Sequence, residues 1–85
     1  MFTEIAMVFF VLSKKGFSDI KKIIESGKYS IWVGSEILDE DDIDFIESKD
    51  IDYTVFNYTI DQNDIQSSLE TIYEHHPNEK VWVEM

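Results

Sequence analysis

The sequence contains no cysteine and no arginine, only one proline and only three glycines. Without thiols there is no disulfide staple, no thiolate nucleophile and no thiolate zinc site, so a reducing cytoplasm is the expected location. The cations are seven lysines against eighteen carboxylates, for a net charge of −11. That balance disfavours direct contact with DNA or RNA, which requires neutralised phosphates. The few glycines form neither G-x-G-x-x-G nor G-x-x-x-x-G-K-[ST], so the usual phosphate cradles are missing. Long hydrophobic runs are lacking too. The longest, Ile5 to Leu12, is too short to cross a bilayer. Glu4 precedes it and Lys14-Lys15 follow it, the reverse of a signal peptide. It reads as a buried strand, and no membrane partner is expected. Asn57-Tyr58-Thr59 matches a glycosylation acceptor by chance, since no export signal accompanies it.

What remains is a chain of 85 residues, expected to form a single acidic domain over residues 1–85. A chain of this length buries roughly two-thirds of its unfolded surface, enough for a modest core. Aromatic residues make up 14%, which separates it from disordered acidic tails and places the acidity on a folded scaffold.

The charge is segregated along the chain. Residues 1–28 carry five lysines against Glu4, Asp19 and Glu25, a net +2. Residues 29–85 carry fifteen carboxylates against Lys49 and Lys80, a net −13. Such one-sign charge costs some stability by self-repulsion and attracts basic surfaces.

Alternation and helical periodicity predict the order β-α-β-α-β-α-β. The strands are expected at 4–12, 29–34, 52–59 and 80–84, and the helices at about 17–26, 40–49 and 62–75. The start of helix one is open between Ser13 and Ser18. Leu38-Asp39-Glu40-Asp41-Asp42-Ile43 and Ile60-Asp61-Gln62-Asn63-Asp64-Ile65 match as junctions. In each, the first aspartate is spaced to cap a helix and the flanking apolar residues to form a staple. Pro77 ends helix three. The fold class expected is α/β, with a four-stranded, mostly parallel sheet and three helices. A central first strand suggests the strand order 2-1-3-4, with helix one alone on one face.

Several residue sets bear on possible chemistry. Ligands of open parallel sheets bind beyond the carboxyl ends of the strands. Ser13, Gly34, Ser35, Glu36, Asp39 and Asp61 belong there, but aspartates at helix starts repel phosphate. The same carboxylates suit Mg²⁺, yet Asp39 and Asp61 fit better as helix caps. Asp39 to Asp44 lacks the glycine and terminal glutamate of an EF-hand. Adjacent on a helix, His75 and His76 point about 100° apart, so they read as a helix end rather than a chelate. No catalytic residue, metal site or cofactor is expected.

Two features point towards a partner. Glu36, Asp39, Glu40, Asp41, Asp42, Asp44 and Glu47 crowd one stretch. Trp32, Trp82 and Tyr53 lie in strands and offer anchoring area if a sheet face is uncovered. The expectation is a small non-enzymatic protein-binding module, an inhibitor or immunity-type protein masking a basic site on a nucleic-acid enzyme. The seven acids would supply the electrostatics and Trp32 or Tyr53 the anchor. The alternatives are a self-associating structural protein, dimeric through a sheet face, and a Mg²⁺-dependent enzyme or phospho-acceptor at the strand ends.

Overall fold

The computed structural model describes residues 7–25 and 29–84. The elements run β1 (Met7–Val11), α1 (Lys14–Ile24), β2 (Tyr29–Val33), α2 (Glu40–Ser48), β3 (Asp52–Val55), α3 (Gln66–His75) and β4 (Lys80–Glu84). All four strands are parallel, so the α/β class holds. The part of the first predicted strand at residues 4–6 lies outside the described residues.

The strand order is β3-β2-β1-β4, not 2-1-3-4. β1 is central, as its apolar run demands: Val8 to Leu12 are all buried. β3 is an edge because it has little to bury; Asp52, Thr54 and Val55 are exposed. β4 offers Val81, Trp82 and Val83 to β1 in the register Val8↔Val81, Phe9↔Trp82 and Phe10↔Val83.

This order redistributes the helices. The first two crossovers step the same way along the sheet and the third steps back, so right-handed connections put α3 opposite the other two. One core cluster joins Phe9, Val11, Ile31 and Val33 to Phe17, Ile20 and Ile24 of α1 and Ile46 of α2. The other joins Val8, Phe10, Leu12, Trp32 and Phe56 to Ile72 of α3. Helix α3, not α1, is therefore alone on its face.

One helix start falls on one of its two expected candidates, and another departs from expectation. Ser13, rather than Ser18, caps α1: its side chain accepts the Gly16 N–H, and the helix starts at Lys14, three residues before Phe17. Asp61 does not cap α3. Its carboxylate accepts the Asn63 N–H and its carbonyl the Asp64 N–H, closing a local turn. α3 begins four residues later, after Ile65, which has no side-chain cap. Ile60 and Ile65 still pack on the same cluster, so the apolar spacing is used while the intervening chain turns.

Candidate functional site

Helix α2 starts with a capping box. Asp39 accepts the Asp42 N–H at 2.9 Å, and Asp42 accepts the Asp39 N–H at 3.2 Å. Both carboxylates also take Lys14 Nζ, at 2.5 and 2.9 Å. Asp42 is buried and Asp39 exposed. The ammonium holds the Asp39 carboxyl below the usual range and the carboxylates hold Lys14 above its own. The cap and one lysine thus engage the oxygens that a cation at this strand edge would need.

Two other lysines of α1 are also engaged, while Lys22 is exposed. Lys15 pairs with Asp19 at 3.0 Å, and Lys21 Nζ lies 4.6 Å from the Phe45 ring centre. Lys14 and Lys21 thereby tie α1 to α2. Glu40, Asp44 and Glu47 follow one stripe at i, i+4, i+7, with Asp41 beside it. All four are exposed, and none has an ion-pair partner among the described residues. Glu36, exposed at a backbone φ of 65°, extends the acidic surface towards the carboxyl edge of the sheet.

The structure brings Tyr53 to this side and takes Trp32 away. Tyr53, half-buried on edge strand β3, packs against the core cluster beneath α1 and α2. Trp32 is 6% exposed and lies under α3 on the opposite sheet face, so it cannot anchor a partner beside α2. Its indole donates to His76 Nε2 at 3.2 Å, and His76 Nδ1 lies 2.6 Å from Glu79. His76 is therefore a tethered core-edge group. His75 matches the helix-end reading: it is exposed, with Nδ1 2.9 Å from the Thr71 carbonyl.

The remaining strand-end positions are filled by packing. A Cβ on Gly34 would meet Ile60 Cγ1 at 2.8 Å, and the Ser35 N–H donates to the Tyr58 carbonyl. Between β1 and β4, where strand direction of travel reverses and ligands of such sheets usually sit, the Leu12 N–H donates to the Glu84 carbonyl. Gly16 packs directly against that carbonyl, so the crevice is filled by the chain itself. No cluster of three or more potential metal-ligating side chains occurs among the described residues.

The chain matches no protein-family model, no curated protein and no solved structure. No helix among the described residues is long and apolar enough to cross a membrane.

A second surface carries Trp82, one of the two tryptophans that could anchor a partner on an uncovered sheet face. Trp82 is 54% exposed on edge strand β4, beside a groove of about 380 Å³ lined by Phe9, Ile20, Ile23 and Tyr29 among others. The signal was present in the alternation: Lys80 and Glu84 share the Trp82 face of the strand, so that face meets water.

Proposed function

We propose that this chain is a small protein-binding module, an inhibitor or immunity-type protein that masks a basic site on a nucleic-acid enzyme. What carries the reading is the stripe Glu40, Asp41, Asp44 and Glu47, exposed and without ion-pair partners among the described residues, on a helix whose first turn is pinned by Lys14. A rigid row of like charge costs little reorganisation on docking, and such complementarity raises association rates by roughly 10–10³. Asp39 and Asp42 hold the helix start rather than meeting the partner. Tyr53 supplies apolar area beside the acids.

The test is kinetic. A partner captured from the native host and purified should associate at least about tenfold more slowly at high salt than at low salt. The variant Glu40→Gln/Asp41→Asn/Asp44→Asn/Glu47→Gln should lose that dependence. A control neutralising four exposed acids elsewhere, Asp61, Asp64, Glu70 and Glu74, should keep most of it. The captured enzyme's nuclease activity should fall when the complex forms. Equal effects of the two quadruple variants would show that net charge, not this helix, drives association.

A further inference from the structure

We propose that a second copy of this chain pairs with the open edge of β4, antiparallel and centred on Trp82, to make a continuous eight-stranded sheet. The surface is an edge, distinct from both the acidic helix and the sheet face considered from sequence, and the inference does not depend on the proposed function.

The backbone sets the register. Glu84 accepts the Leu12 N–H, so its peptide groups point inward to β1. Peptide groups alternate along a strand, so those of Trp82 and Lys80 also point inward, and those of Val81 and Val83 point to the open edge. In an antiparallel pair centred on Trp82, Val81 and Val83 of one copy meet Val83 and Val81 of the other as hydrogen-bonded pairs. Trp82 meets its own copy as a non-hydrogen-bonded pair, the arrangement that brings side chains closest.

The side chains agree with this register. Lys-Val-Trp-Val-Glu is charge-complementary to itself when reversed: Lys80 faces Glu84 of the second copy on both sides of the axis. Lys80 has no ion-pair partner among the described residues, and Glu84 is already oriented by a 2.8 Å hydrogen bond from Trp82 Nε1. The valines match each other on the α3 face. The two tryptophans meet on the α1 face, where α1 packs along β4 and Ile23 is 49% exposed at the groove. The opposite edge lacks this complementarity. Exposed β3 begins at Asp52, follows Asp50 and carries no cation, so a copy placed there brings like charges together.

Sedimentation velocity over a concentration series, at about 0.15 M salt to screen remote charges, tests the proposal. The wild-type protein should show a monomer–dimer equilibrium. Val83→Pro removes only an outward donor, so it should fold and sediment as a monomer. Lys80→Glu should raise the dissociation constant about tenfold or more, by setting like charges opposite each other twice. Lys80→Glu combined with Glu84→Lys should restore association to within about threefold, because the reversed pairs match again. The amide exchange of Val81 and Val83 should slow as concentration rises. A monomer at every concentration up to about 0.5 mM overturns the proposal. So does a dimer indifferent to Lys80→Glu, whether or not Val83→Pro folds.

Discussion

The indole N–H of Trp32 and the imidazole Nε2 of His76 are joined across 3.2 Å, linking the middle of β2 to the residue that ends α3. Because Nε2 accepts, the ring proton sits on Nδ1, where Glu79 receives it at 2.6 Å. His76→Ala should cost about 1–3 kcal/mol in urea unfolding, since a buried donor loses its acceptor.

The Lys14 bridge has a pH signature. Asp39 is held below its usual range, so its contribution to stability is present above the ordinary carboxylate pKa and is lost as pH falls through the depressed value. Lys14 is raised, so its contribution is present below the ordinary lysine pKa and is lost as pH climbs through the raised value. Between these limits the bridge adds no slope. Lys14→Met should make the acid limb of the stability curve shallower, as measured by urea unfolding from neutral pH downwards.

Gly16 sets two effects against each other. Alanine within a helix gains about 1 kcal/mol over glycine. Here its Cβ would lie 2.9 Å from the Glu84 carbonyl oxygen, an atom fixed by its bond to Leu12. The clash should win, with Gly16→Ala losing about 1–3 kcal/mol. A thermal melt showing higher stability would mean that β4 shifts freely away from α1.

Neighbouring acids of α2 should respond very differently. Asp39→Ala removes the helix cap and should cost about 1–2 kcal/mol. Asp44→Ala removes an exposed charge with no ion-pair partner among the described residues and should stay within about 0.5 kcal/mol of wild type. Chemical denaturation of the two variants separates the acids that build the helix from those free to meet a partner.

Much of this architecture is legible in the chain because local periodicity and capping chemistry are local. The run through Leu12 announces a central strand, Asp39 announces α2, and all seven elements follow in the expected order. Strand order is not local. It depends on which later strand fills the free flank of β1, and β4 takes that place with Val81 and Val83 on the α3 face, while β3, whose Asp52 and Thr54 are exposed, pairs outside β2. Asp61 misleads because an aspartate that can cap a helix can equally close its own turn, as its bond to Asn63 shows. At the site, the acidic stripe is readable from i, i+4 spacing. The Lys14 bridge is not, since its partners are 25 and 28 residues away. Trp32 could be told from Trp82 by its neighbours: Ser30 and Gly34 leave room for an indole under a helix, whereas Lys80 and Glu84 seek solvent.

Placing β1 between β2 and β4 also orders events during synthesis. The most apolar strand emerges from the ribosome first, yet one flank waits until residues 80–84 arrive. Throughout that interval Val8, Phe9 and Phe10 border an unfilled sticky edge. Slow translation, or a nascent chain stalled before Lys80, should therefore be the condition under which this protein aggregates or recruits chaperones.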